Sequence, residues 1–289
     1  MILRLFVVLG LMLGTLHLGS AHEEKTYEVD IQRDIPYYTG ADADPVRHLL
    51  DLYRPLGREN YPVLMFIHGG AWVSGSKEDV ANFGPAFASR GIGVVTVNYR
   101  LSPTVTHPAH IEDIARAFAW VAENIADYGG DPSRIIVGGH SAGGHLASLL
   151  TFDSQYLEAV KHSPDEIAGV LSVSGVYWID DWIVQWAHGA FPKDKKGRDA
   201  VSPIKLVHED APPFLVLVSQ DDYPNLIDEA DAMVAALEKA EIDTTFAHIP
   251  ERDHYSVIQY IGTKRDKATE VMLEWLNSTF EKAEDEEKP

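Results

Sequence analysis

One serine stands within a run of small residues at 136–148, IVGGHSAGGHLAS, as part of Gly139-His140-Ser141-Ala142-Gly143. An apolar run precedes this G-x-S-x-G pattern and a helix-compatible run follows it. In that context a strand turns sharply into a helix, with the serine at the apex in a strained backbone conformation. Bulky flanking residues would clash there, and Gly139, Ala142, Gly143 and Gly144 are all small. The amino end of the following helix then lies beside Ser141, where its dipole favours developing negative charge. The chemistry that suits such a corner is nucleophilic attack on a carbonyl. By themselves the five residues read equally as a glycine-rich turn.

The remaining parts of such a reaction can be sought elsewhere in the chain. Acyl transfer passes through an oxyanion, best stabilised by preorganised backbone N–H groups. His68-Gly69-Gly70-Ala71-Trp72 ends an apolar run about 70 residues upstream. Its turn can aim the N–H groups of Gly70 and Ala71 at that oxygen, joined by the N–H of Ala142. A serine hydroxyl also needs a base oriented by a carboxylate. The order on this kind of scaffold is serine, acid, histidine. Among thirteen histidines, His254 in ERDHYSV follows the last predicted strand in a short loop, where a base can reach across the strand ends. His248 lies inside that strand, His140 takes the variable position of the pattern, and His68 braces the oxyanion turn. His107, His110 and His145 read as structural. Asp221 and Asp222 both end a buried strand, and spacing hardly separates them; Asp222, one step further out before a Tyr-Pro turn, is the choice. Asp113 on a helix reads as a structural hydrogen-bonding residue, and Asp253 as a weak competitor.

These residues need a scaffold of alternating strands and helices. Strand-like runs are expected at 25–37, 46–55, 62–70, 91–100, 134–140, 167–177, 213–220 and 244–250. Helices are expected at 108–129, 142–152, 225–240 and 264–281. The first two strands read as an antiparallel pair turning near Gly40. The later runs are continuously apolar, as strands buried on both faces are. Alternation of this kind implies a mostly parallel eight-stranded sheet with helices on both faces. Ligands then bind outside the carboxyl ends of the strands. One α/β domain over 22–289 is expected.

Composition narrows the partners. The chain is 289 residues, 45% hydrophobic and 10% aromatic, with a formal charge of -20. Such acidity argues against nucleic acid, which demands a basic face, and against anionic membrane surfaces. There are no cysteines, which rules out disulfides and thiolate chemistry. Arg4, the apolar LFVVLGLMLGTLHLG and the small residues GSA read as a signal peptide over 1–21, cleaved near Ala21. A secreted or periplasmic location follows, with no stable membrane association once the signal is removed.

With HGGAW at 68–72, VNYRLSP at 97–103, DPSRIIVGGHSAGGHLA at 131–147 and the DD and DHYS segments, the mature chain resembles the α/β-hydrolase superfamily. Within it, the chain is similar to the hormone-sensitive-lipase-like carboxylesterases, the feruloyl and acetyl esterases and the kynurenine formamidases. The resemblance implies the α/β-hydrolase fold with a small cap insertion at about 177–210. It implies Ser141 as nucleophile, His254 as base, Asp222 as orienting acid, and an oxyanion hole from Gly70, Ala71 and Ala142. Within the cap, YWIDDWIVQWAHGAFP offers Tyr177, Trp178, Trp182, Trp186 and Phe191 as an aromatic wall, with Trp72 as a further candidate. Packing of the cap onto the body is the alternative use of these rings. The expected activity is hydrolysis of a small-molecule carboxylic ester, short-chain or aromatic, through an acyl-enzyme and without metal or cofactor. HGG-x-W in place of HGGG brings the chain nearer the formamidase variant, so N-formyl substrates stand as the alternative. A non-catalytic binding protein is a third reading, disfavoured because serine, acid and base are all present.

Overall fold

Strands built from apolar runs have nowhere to go but the middle of the molecule, and a computed structural model, which describes residues 25–286, shows them there. Eight strands form one sheet: β1 (Val29–Pro36), β2 (Leu49–Pro55), β3 (Tyr61–Ile67), β4 (Gly93–Val97), β5 (Gly130–His140), β6 (Ile167–Val173), β7 (Phe214–Asp221) and β8 (Thr244–Asp253). Their spatial order is β1-β2-β4-β3-β5-β6-β7-β8. Strand β2 runs antiparallel to both neighbours, and the other pairs are parallel. The helices are α1 (Phe83–Ala88), α2 (Ala109–Asn124), α3 (Ala142–Phe152), α4 (Gln155–Glu158), α5 (Asp181–Trp186), α6 (Lys195–Asp199), α7 (Pro224–Lys239), α8 (Ser256–Gln259) and α9 (Lys267–Glu286). The stretch read as a signal peptide, 1–21, lies outside the described residues.

Side chains alternate across a strand, and β3 shows how that builds two cores. Val63, Met65 and Ile67 face a cluster with Ile114 and Phe118 of α2, Leu146 and Leu150 of α3, and Met233 of α7. Leu64 and Phe66 face the other cluster, with Phe83 and Phe87 of α1 and Met272 and Trp275 of α9. Phe66 and Phe83 stack with centroids 3.9 Å apart. Each such side chain contributes about 1.5–3 kcal/mol on burial.

The register brings the functional turns level. Ile67 pairs with Gly139, His140 with Val173, Val173 with Leu217, and Asp221 with Asp253. The turn after β3, the corner after β5 and the loops after β7 and β8 therefore share one edge of the sheet. Several expected strands are shorter than their runs, β4 at Gly93–Val97 against 91–100 among them, and at two of them backbone conformation marks the stop. The 62–70 run ends at Ile67 because Gly70, Ala71 and Trp72 have φ of +109°, +51° and +60°. The 167–177 run ends at Val173 because Ser174 has φ +47°. Helix α1, which carries the β3–β4 crossover, is absent from the hydrophobic pattern; its FGPAFA is short and holds a glycine and a proline, both poor helix formers. Between β6 and β7 the chain makes α5 and α6, capped by Asp180 on the Ile183 N–H and by Asp194 on the Gly197 N–H.

Candidate active site

Ser141 leaves β5 with φ +54° and ψ -116°, a conformation few L-residues adopt. Three backbone bonds hold it: its N–H donates to the Val173 carbonyl at 2.9 Å, and its carbonyl accepts from the N–H groups of His145 at 3.1 Å and Val176 at 3.4 Å. The flanking glycines are required by close approach. A Cβ on Gly143 would lie 2.1 Å from the Ile67 carbonyl oxygen, and one on Gly139 would lie 2.3 Å from the Gly143 carbonyl.

His254, directly after β8, places Nε2 3.0 Å from Ser141 Oγ and Nδ1 2.8 Å from Asp222 Oδ1. Asp222 is buried, whereas Asp221 is exposed at the end of β7, which separates the two acids that spacing did not. The Tyr223 N–H donates to Asp222 Oδ1 at 2.8 Å, and Ser174 Oγ donates to Oδ2 at 2.5 Å. Burial alone would raise the Asp222 carboxyl. The hydrogen bonds from His254, Ser174 and the Tyr223 N–H outweigh it and hold the group below the usual carboxylate range. Asp253 serves its own loop, accepting from the Tyr255 and Ser256 N–H groups.

The turn after β3 packs against the serine; a Cβ on Gly69 would come within 3.2 Å of Ser141 Cβ. Its Gly70 carbonyl accepts from the N–H groups of Val73 and Ser74, both at 3.0 Å. The N–H groups of Gly70, Ala71 and Ala142 have no acceptor among the described residues. Such unengaged donors in a positive-φ turn and at a helix start are what an oxyanion needs. His68 braces the turn from beneath, its Nδ1 donating to the Gly69 carbonyl at 2.6 Å and its ring stacked on Tyr99 at 4.4 Å. Burial pushes its imidazole down to about 4. Beyond the turn, the Lys77 ammonium is buried between Asp34 and Asp51, at 2.8 Å from each, which fixes the exit.

Serine and histidine open into a cavity of about 580 Å³. Trp182, Trp186, Tyr223 and Tyr255 form its aromatic wall, with Ile183, Leu226 and Ile258 between them. Trp72 also lines it, although almost wholly buried. Trp178 does not: it is 42% exposed, with the Lys205 ammonium 4.4 Å over its ring. Tyr177 and Phe191 belong to the core, where Tyr177 donates to Ser172 Oγ and Phe191 packs edge-on against Trp72. The expected wall is thus half replaced. Tyr223 and Tyr255, absent from the expected wall, flank His254 with their rings at 5.1 and 5.3 Å. Adjacency was the available signal, since each directly follows a residue already chosen.

Titratable groups support the site from behind. Glu229 of α7 accepts the Tyr177 and Trp178 N–H groups at 2.7 and 2.9 Å, tying down the start of the segment that carries the wall. Its burial raises the carboxyl to about 7 against the pull of those donors. His107, His110 and His145 surround Phe191 at 5.9, 6.5 and 5.4 Å. Burial lowers them to about 4, 4 and 3 respectively. Asp113 is structural as expected, accepting from Arg100 Nε and facing His48 Nε2 at 3.0 Å. His248 is a half-exposed surface residue.

A mostly parallel eight-stranded sheet with a serine elbow after its fifth strand defines an α/β-hydrolase. The BD-FAE family model matches residues 50–237, and the chain belongs to that family. It is similar to esterase LipQ of Mycobacterium tuberculosis, 34% identical over 263 residues, covering 84% of this chain and 61% of LipQ. The chain spans about half to three fifths of the length of the curated relatives it matches. Among solved structures, esterase B from Lactobacillus rhamnosis superposes with a TM-score of 0.77 at 23% identity, over 92% of this chain and 93% of that one. An acetyl ester-xyloside bifunctional hydrolase from Caldicellulosiruptor lactoaceticus gives 0.73 at 22%, over 85% and 95%.

Proposed function

We propose that the chain is a serine carboxylic-ester hydrolase working through an acyl-enzyme. The observation that carries this reading is the relay from Ser141 Oγ through His254 to Asp222, at 3.0 and 2.8 Å, on the floor of an aromatic-walled cavity. Ser141 attacks the ester carbonyl while His254 Nε2 takes its proton. Asp222 fixes the ring and stabilises the imidazolium that forms. The N–H groups of Gly70, Ala71 and Ala142 receive the oxyanion. His254 returns the proton to the departing alcohol, and a water molecule repeats the sequence to release the acid. Esterase names among the relatives and the HGGAW turn add support. The ring faces of Trp182, Trp186, Tyr223 and Tyr255 support a preference for short or aromatic groups. Export, proposed from residues 1–21, would present the site to extracellular esters.

A fluorophosphonate probe should label the peptide containing Ser141 and no other. The labelled protein should lose its activity on p-nitrophenyl acetate and on methyl ferulate. Both esters should exceed N-formylkynurenine in kcat/KM and outrun p-nitrophenyl laurate. Labelling elsewhere in the chain, or no labelling, would overturn the serine assignment. A higher kcat/KM on the formamide would overturn the ester reading.

A further inference from the structure

The corner residue before the nucleophile has a task that the relay itself does not require. His140 ends β5 and is buried, with its ring against that of His254 at 4.6 Å. Its Nε2 lies 2.8 Å from the backbone carbonyl oxygen of His254. A carbonyl only accepts, so Nε2 carries the proton and Nδ1 is left as the lone-pair nitrogen. Nδ1 faces the oxyanion turn, where a Cβ on Gly69 would lie 2.8 Å from it. Burial pushes the imidazole down to about 3, so the ring stays neutral over the working pH of an esterase.

The His254 carbonyl has no other hydrogen-bond donor among the described residues. Its neighbours in the loop are secured differently: the Asp253 carbonyl accepts from Ser219 Oγ, and Asp253 Oδ1 takes the N–H groups of Tyr255 and Ser256. We propose that His140 is a positioning residue for the general base, clamping the backbone of His254 to the strand that carries Ser141. Base and nucleophile are then joined at two points, side chain to side chain through His254 Nε2 and backbone to corner through His140 Nε2. The first contact must break and re-form in each turnover as the proton moves. The second does not change, and it keeps the imidazole in register while the first is broken. The same ring fills the space under Gly69, so corner, oxyanion turn and base loop rest on one side chain.

This inference rests on the triad reading, and the test separates the two. Glutamine places an amide N–H near the position of the histidine Nε2, asparagine places it short, and leucine removes it. Kinetics on p-nitrophenyl acetate are normalised to sites counted by phosphonate labelling taken to completion, with Ser141→Ala run in parallel. His140→Leu should lower kcat by about 10- to 100-fold with KM within about threefold, the effect of a misplaced catalytic group. His140→Gln should recover kcat to within about fivefold of wild type, and His140→Asn should not. If leucine prevents folding, the glutamine and asparagine pair carries the comparison. Leucine kcat per site within threefold of wild type, a change confined to KM, or equal kcat for glutamine and asparagine would each overturn the clamp. If Ser141→Ala stays active, the triad reading fails instead.

Discussion

Alanine at position 141 is expected to lower kcat on p-nitrophenyl acetate by roughly 10³- to 10⁶-fold, with Tm unchanged or slightly raised. The size follows from what the hydroxyl does: no other serine has a histidine at 3.0 Å from its Oγ backed by a buried carboxylate among the described residues. Residual turnover would come from the N–H groups of the turn and from binding alone. Asp222→Asn belongs to the same experiment. Asparagine fills the same volume yet presents the wrong group to His254 Nδ1, and kcat should fall by about 10⁴-fold. Ser174 should still reach it, so folding should be spared. The fold constrains the stability result as well. Ser141 is held in positive φ, and alanine relieves nothing there, but it also removes no packing. Steady-state kinetics with thermal melts checks both variants, and a Ser141→Ala enzyme retaining a tenth of wild-type kcat would refute the relay.

Acid should destabilise this protein before its carboxylates titrate. His68, His107, His110, His140 and His145 are buried and held neutral, with pKa values pushed down to between about 3 and 4 by burial. In the unfolded chain they titrate near 6.5, so between pH 6.5 and 4 the unfolded state binds more protons. Stability therefore falls as pH falls through that window and is fully present above it. A displacement of two pKa units is worth roughly 3 kcal/mol, and a domain has only about 5–15 kcal/mol to lose. Glu229 runs the other way: raised to about 7, it gives stability below its unfolded value near 4.5 that is lost as pH rises through 7. One carboxyl does not offset five imidazoles. Asp113 and Asp222, lowered in the fold, add their loss only at lower pH. Melting curves should show Tm at pH 5 lower than at pH 7.5 by roughly 10 °C or more. A flat Tm across that interval would mean that these histidines protonate in place.

What the sequence made legible was set by periodicity and by turn chemistry. The two-sided burial of β3 through β7 is written in unbroken apolar runs. The serine corner is written in glycines that tolerate no Cβ. Positions that depend on the far ends of other strands were harder. Nothing in the DD pair says which carboxylate turns inward; that is decided by Ser174 and by the Tyr223 N–H, both outside any local pattern. The aromatic wall is only partly legible for a related reason. Tyr177, Trp178 and Phe191 sit in an irregular segment without a period, so which rings face the cavity depends on Glu229 and Asp180 fixing its path.

The placement of the relay within the sheet has one further consequence. Ser141 springs from β5, held between β3 and β6, whereas His254 follows β8, which has a neighbour on one side only. Edge strands open more readily than inner ones. On warming, the general base would detach while the corner carrying the serine is still intact. On the proposed reading, heat would end turnover before it melts the fold, and hydrogen exchange would find the earliest breathing in the strand that leads to His254.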